Sequence, residues 1–241
     1  AKNVETNLYD ISHTRIPPFD SENFVSLPSF LEKITFYKFV GTVQGVWSDL
    51  SAKGMLFTNA GKISTDANLK QDKTSQCSGT ITFEDFNLSE FVGSEIIGKT
   101  TGDFSVDAQF NSDSLITANI VGNLSRLNFN GYDYSGLDID GKLSAHKFVG
   151  LFSVADPNLN MHFGGLVDIS KDVPEFRFKS KVASAKLSEL NLYADSLADV
   201  SFALSVDFRG MDLDNMTGDV TLRDVSYTNA KGGLSTKLMK L

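Results

Sequence analysis

The stretch Val200-Ser201-Phe202-Ala203-Leu204-Ser205-Val206-Asp207-Phe208 decides how this chain folds. Every second residue is large and apolar, and the residues between are small or polar. Side chains of an extended strand point alternately to opposite faces, so Val200, Phe202, Leu204, Val206 and Phe208 share one side. A helix would turn Val200 and Phe202 to nearly opposite sides and scatter the stripe. The segment is therefore a strand with one apolar face.

The same alternation recurs in both directions from it. Phe104, Val106, Ala108 and Phe110 oppose Asp103, Ser105, Asp107 and Gln109. Leu137, Ile139, Gly141, Leu143 and Ala145 form a third stripe, and Leu159, Met161, Phe163, Gly165, Val167 and Ile169 a fourth. Short polar or glycine-containing segments separate the stripes: Asn111-Ser112-Asp113-Ser114, Asn130-Gly131, Gly164-Gly165, Met211 to Asn215, and Lys231-Gly232-Gly233. Asn130-Gly131 is a hairpin signal, because both residues tolerate positive φ. Gly164-Gly165 reads alternatively as a bulge or bend within one long strand. Connections this short cannot make parallel crossovers, so the chain is expected to form an antiparallel meander. Helix is expected only over Ser21–Glu32 and as single turns at Leu88-Ser89-Glu90-Phe91 and Leu187-Ser188-Glu189-Leu190.

Composition narrows the function. The 241 residues include 19 Phe and 19 Gly but only five Pro and one Trp, a mixture suited to strands and turns. With 22 Lys and Arg against 30 Asp and Glu, the formal charge is −8, which sets nucleic-acid binding aside. The single cysteine, Cys77, excludes an internal disulfide and any multi-cysteine metal site. No window approaches the roughly 20 apolar residues of a membrane-spanning helix; Phe148-Val149-Gly150-Leu151-Phe152 is the greasiest run. The chain opens on Ala1-Lys2-Asn3-Val4, and strand-like alternation continues to Leu241, so it reads as an excerpt of a longer protein.

Two spans look alike. Leu88-Ser89-Glu90 recurs as Leu187-Ser188-Glu189, Ser105-Val106-Asp107 as Ser205-Val206-Asp207, and Gly122 with Arg126 as Gly218 with Arg223. The expected organisation is an N-terminal segment over 1–33, partly helical or irregular, and a β-region over 34–241. Within the latter, repeat units fall at about 80–136 and 176–233, as in stacked repeat architectures. An antiparallel sheet with a consistently apolar face must cover it, by a second sheet, by closing into a barrel, or by curling into a trough that holds a ligand. The stripes continue well past the length of an ordinary sandwich, which favours an open or extended sheet. Polar turns interrupt too often for the uniform strands of a transmembrane barrel.

No motif assembles a catalytic site. Gly93-Ser94-Glu95-Ile96-Ile97-Gly98-Lys99-Thr100 matches the letters of a phosphate-binding loop. That mechanism needs a helix after the Thr, and here Thr101-Gly102 leads straight into the strand Phe104–Phe110. His13, His146 and His162 are scattered; Asp138 and Asp140 precede His146, but Lys142 stands among them and is a poor neighbour for a cation. Cys77 lies in a polar stretch without an activating histidine. Glu84-Asp85 and the group Asp212, Asp214 and Asp219 read as solvated turns, since the acidic ladder and terminal Glu of a calcium loop are missing. The chain is expected to be neither an enzyme nor a holder of a cofactor or metal.

Two longer runs carry a family resemblance. Phe129-Asn130-Gly131-Tyr132-Asp133-Tyr134-Ser135-Gly136-Leu137-Asp138-Ile139-Asp140-Gly141-Lys142-Leu143 is followed by Phe148-Val149-Gly150-Leu151-Phe152-Ser153-Val154-Ala155-Asp156-Pro157-Asn158-Leu159. With Gly164-Gly165-Leu166-Val167-Asp168, Leu190-Asn191-Leu192 and Leu213-Asp214-Asn215-Met216-Thr217-Gly218, they resemble the periplasmic β-rich region of TamB-type proteins, the translocation and assembly module proteins related to AsmA. The likeness covers roughly residues 35–235.

That resemblance implies an all-β fold, an elongated antiparallel meander curled into a β-taco with a hydrophobic interior. It further implies a section of a bridge-like conduit in the periplasm of a diderm bacterium, moving phospholipid from inner to outer membrane. Such proteins are anchored in the inner membrane by a helix and partner an outer-membrane barrel of the Omp85 class, with a role in outer-membrane protein assembly. Both contacts would lie outside this chain. Phospholipid acyl chains would rest on the inward stripes: Phe104, Val106 and Phe110; Leu137, Ile139 and Leu143; Leu159, Met161, Phe163 and Val167; Phe202, Leu204, Val206 and Phe208. A charge on that floor, as in Phe202→Glu, would block passage. Raw strand edges would favour edge-to-edge association of the chain with itself. The competing expectation is a structural or adhesive β-sandwich or solenoid whose stripes pack a dry core.

Overall fold

The computed structural model describes residues 4–6, 9, 13, 37–46, 48–72, 74–89, 93–111, 114–144, 146–194, 197–210 and 217–240. The expected helix over 21–32, Ala145 and the loop 211–216 lie outside the described residues.

Fifteen strands follow one another along the described chain. They are β1 (Val4–Thr6), β2 (Tyr37–Val46), β3 (Asp49–Thr58), β4 (Gly61–Lys70), β5 (Ser75–Asn87), β6 (Ile97–Asn111), β7 (Ser114–Phe129) and β8 (Tyr132–Tyr134). Then come β9 (Leu137–Ser144), β10 (Lys147–Asp156), β11 (Leu159–Asp168), β12 (Glu175–Lys186), β13 (Asp199–Arg209), β14 (Thr217–Asn229) and β15 (Gly232–Lys240). Hydrogen-bonded neighbours are neighbours in sequence throughout, except that β8 turns back onto β7 and β9 takes the next place in the order. The fold is all-β and an antiparallel meander, as the short connections predicted. Among the described residues, no helix is long and apolar enough to cross a membrane.

The chain divides into two compact units, Ala1–Gly122 and Asn123–Leu241, with the boundary inside β7. In the first unit each of β2 to β6 lies antiparallel to the next, and β1 pairs with β2. The second unit carries the same order from β9 to β15. At the β7–β8 hairpin Asn130 and Gly131 both have positive φ, 50° and 76°, the conformation for which that pair was read. Gly164 and Gly165 are not a turn. They sit inside β11 in unbroken register, and the bulge of that strand falls between Asn160 and Met161. At Gly165 the φ of 149° and the approach of Phe178 leave no room for a side chain: a Cβ would lie 2.3 Å from the Arg177 carbonyl oxygen. The β14–β15 turn is made by Ala230 and Lys231, with Gly232 and Gly233 already in the strand.

Each unit contains one further, similar device. Register shifts between Phe83 and Phe86 in β5, and between Val182 and Ala185 in β12. A shift of this kind bends the strand and sharpens its twist. Directly afterwards the Leu88 and Leu187 amides donate to the Gly98 and Ala198 carbonyls, at 3.0 and 2.8 Å. The Leu-Ser-Glu turns begin there: Gly93 N–H bonds Ser89 O at 2.9 Å, and Leu190 N–H bonds Lys186 O at 3.1 Å. Leu187–Leu190 is the single turn expected there, and Glu90 and Phe91 of the other lie outside the described residues.

Candidate functional site

In the first unit, register gathers the alternating residues into one apolar face. Leu56, Ile63 and Phe83 stand in one cross-strand row, and Thr65, Ile81 and Phe104 in the next. Val106 lies opposite Gly79, and Phe110 opposite Ser75. Cys77 pairs with Leu69 and Ala108 on this face, although its sequence neighbours are polar. Burial there pushes its thiol pKa up, with Asp107 adding to the shift, so the thiolate needed for reactivity is disfavoured. The end of the phosphate-loop match is built into this unit's sheet: Lys99 and Thr100 belong to β6, and the Gly98 carbonyl accepts from Leu88.

The second unit carries the larger face. Cross-strand rows run Leu143–Phe148–Val167–Phe176–Phe208, then Gly141–Gly150–Gly165–Phe178–Val206–Val220. The next row is Ile139–Phe152–Phe163–Ser180–Leu204–Leu222, and the last Leu137–Val154–Met161–Val182–Phe202. Each row contains residues from several stripes, so the structure joins all eleven second-unit residues expected to line a floor, with Leu159 beside Ala185 at the margin. Phe163 and Phe178 have ring centroids 5.0 Å apart, and Phe176 stacks on Phe208 at 4.9 Å. Gly141, Gly150 and Gly165 stand side by side in the second row, with the Phe148 ring lying over Gly141.

Sequence reading missed Phe176, Phe178 and Val182, although Glu175-Phe176-Arg177-Phe178-Lys179-Ser180-Lys181-Val182 alternates as cleanly as any quoted stripe. It also treated Phe148 to Phe152 as one greasy run. The strand splits it: Phe148 and Phe152 lie on the apolar face, while Val149 and Leu151 are on the other and exposed.

Burial separates two parts of this face. At one end of the strands Tyr134, Leu137, Val154, Val182, Ala185 and Leu190 form a packed cluster, with Leu159, Met161, Phe152 and Phe202 against it. Leu190 is 0% exposed. Phe148, Phe163, Phe176, Phe178 and Phe208 lie outside that cluster and are only half-buried. The packed end is closed by the turn after β12. Asn130 donates to the Asn191 carbonyl at 2.9 Å, and Asn191 donates back to the Asn130 carbonyl at 3.1 Å. In strand order β7 and β12 are four ladder steps apart, about 19 Å in a flat sheet. The sheet and this turn therefore wrap over the end of the apolar face.

Asp156 secures the same end. Tyr132 OH at 2.6 Å, the Ser135 amide and hydroxyl, and the Asn158 amide all donate to its carboxylate. Burial pushes its pKa up, but these bonds, led by Tyr132, outweigh that and hold it below the ordinary value.

The opposite strand ends carry buried carboxylates. Asp168, 1% exposed, accepts from the Ser170 hydroxyl and amide, with Lys147 and Lys171 at 3.5 and 3.6 Å. The Ser170 hydroxyl, against the opposing effect of burial, brings its pKa down to about 2. Glu175 is met by Lys171 at 3.1 Å, Arg177 at 2.7 Å and Arg209 at 3.6 Å, and its pKa is also lowered, first by Lys171. A carboxylate whose folded pKa is depressed contributes stability above its unfolded value and loses it as pH falls through the folded one. Asp168→Asn should therefore be less stable than wild type at neutral pH. The gap should close between about pH 4 and pH 2, measured as Tm against pH. A gap independent of pH would exclude this account.

The other titratable candidates are dispersed. His146 lies exposed in the β9–β10 turn and His162 exposed on the polar face of β11. Asp138 accepts from Asn123, and Glu84 pairs with Lys62. Among the described residues no group of three or more His, Cys, Asp or Glu is placed to hold a metal. No family model, curated protein sequence or solved structure matches this chain.

Proposed function

We propose that this chain is a section of a bridge-like lipid conduit of the TamB and AsmA kind, working in the periplasm of a diderm bacterium. Acyl chains would lie on the apolar faces while headgroups stay in water. The observation that carries this reading is the partly buried set Phe148, Phe163, Phe176, Phe178 and Phe208. A dry core would bury these rings, whereas a lipid floor must keep them within reach of a ligand. Each acyl methylene laid on such a floor contributes roughly 0.8 kcal/mol. The floor offers no directional bias of its own, so transport from inner to outer membrane needs a gradient or partner. The inner-membrane anchor and the Omp85-class barrel would be engaged through regions outside this chain, linking the conduit to outer-membrane biogenesis.

The competing reading, a structural or adhesive domain with no ligand, is favoured by the packed cluster around Leu190. It accounts for that end and not for the partly buried rings. Mass spectrometry of organic extracts from gently purified protein, beside a control domain of similar size, distinguishes the two. Phospholipid at defined stoichiometry supports the conduit, and extracts no richer than the control favour the ligand-free domain.

The strand edges add a second test. β15 pairs with β14, and its other edge is unpaired among the described residues, with Leu234 and Leu238 exposed. Such an edge is a template for another strand. Sedimentation should show association rising with concentration; a strictly monomeric particle at high concentration counts against an edge-joined conduit.

A further inference from the structure

The polar face of the second unit holds a cavity of about 510 Å³ that the lipid reading leaves unused. Two cross-strand rows make most of it, and Phe163, Ser180 and Leu204, from the row between them, complete the lining. One runs His162–Lys181–Ala203–Arg223, the other Leu151–Gly164–Lys179–Ser205–Thr221. The hollow arises because Gly164, Ala203 and Ser205 are small, while longer side chains stand around them. Those longer side chains are Lys179, Lys181, Arg223 and His162, with Leu151 as an apolar wall.

The charge balance of this cavity is one-sided. Its lining contains no Asp or Glu, in a chain whose formal charge is −8. Among the described residues, Lys179, Lys181 and Arg223 make no ion pair. The neighbouring cations behave differently: Lys171, Arg177 and Arg209 are all engaged by Glu175, and Arg177 also reaches Asp207. Three exposed cations lining one hollow, with no carboxylate among them, make it favourable for an anion. Arg presents a planar fork of donors to phosphate oxygens, lysine ammonium groups supply point charge, and the Ser205 and Thr221 hydroxyls are further donors at the floor.

We propose that this cavity binds a phosphate-bearing anion, held by Lys179, Lys181 and Arg223. The phosphate can belong to a soluble phosphomonoester or to an anionic lipid headgroup at a membrane surface, and the chemistry of recognition is the same. The three cations stand on the strand phase opposite the apolar floor, and Phe163 and Leu204 of the floor row border the cavity as well.

The test is calorimetric titration of the whole chain with inorganic phosphate and with glycerol 3-phosphate, and co-sedimentation with phosphatidylglycerol and phosphatidylcholine vesicles. The double variant K181Q/R223Q removes two of the cations, and K53Q, at an exposed ion pair in the first unit, removes one cation away from the cavity. Unchanged circular dichroism and Tm would establish that both variants fold. Binding of a phosphate probe that weakens about tenfold or more in K181Q/R223Q and is unchanged in K53Q supports the site. If that pattern appears with free phosphate or glycerol phosphate alone, the ligand is soluble. If it appears only with phosphatidylglycerol vesicles, the ligand is a headgroup. No binding to any probe, binding untouched by K181Q/R223Q, or an equal loss in K53Q would overturn the proposal.

Discussion

Phe178→Glu should leave the protein folded and cut its retention of phospholipid about fiftyfold. Phe178 stands mid-floor between Gly165 and Val206, with its ring 5.0 Å from that of Phe163. It is half-buried and outside the packed cluster, so an introduced carboxylate can reach water and keep its charge. An acyl chain crossing it must either strip that water or lift away. Lifting about three methylenes at roughly 0.8 kcal/mol each costs about 2.4 kcal/mol, which is the fiftyfold. Phe178→Leu keeps the surface apolar and should retain lipid nearly as wild type does. The readout is phospholipid per protein in organic extracts, with Tm as the control. A folded Phe178→Glu protein that holds lipid as wild type does would remove the floor from the mechanism. Phe202→Glu, which the stripe alone nominates, is a poorer probe. Phe202 packs against the buried cluster, so a charge there attacks stability as well as passage.

Leu190→Ala should destabilise the second unit by about 3 kcal/mol, lowering Tm on the order of 10 °C. Leu190 has no exposed surface and plugs the end of the apolar face against Tyr134, Leu137 and Val154. Removing its side chain leaves a cavity in a cluster tied down on both sides. Asp156 fixes Tyr132 and Ser135, and Asn130 and Asn191 join their two turns reciprocally. Asn191 also has a φ of 57°, a conformation Asn tolerates better than most residues, so the turn cannot easily re-form to fill the gap. Chemical denaturation would measure the loss; a change below about 1 kcal/mol would mean that the turn is not what closes this end.

Much of the fold was legible because alternation with period two has no helical counterpart. The stripes at Phe104–Phe110, Leu137–Leu143, Leu159–Val167 and Val200–Phe208 named their strands and their apolar phases. Asn130-Gly131 named its turn, and the short connections named the meander. Where alternation was blurred the reading weakened. Phe148 to Phe152 is apolar on both phases, and only pairing with β9 and β11 shows which residues face the floor. Cys77 sits in a polar phrase, yet its cross-strand partners Leu69 and Ala108 place it on an apolar face.

The sequence by itself determined the all-β class, the antiparallel order and the identity of the apolar phase, because these follow from spacing along one strand. Tertiary structure alone decided which stripes share a row, since register is set between strands distant in sequence. It also decided where the apolar face is closed and where it is left partly buried. Leu190 and Asn191 look like any turn residues until the sheet brings Asn130 to meet them. The cationic hollow is of the same kind. Lys179, Lys181 and Arg223 come from two strands, and nothing along the chain says that Ala203 and Ser205 will lie between them with Gly164 alongside.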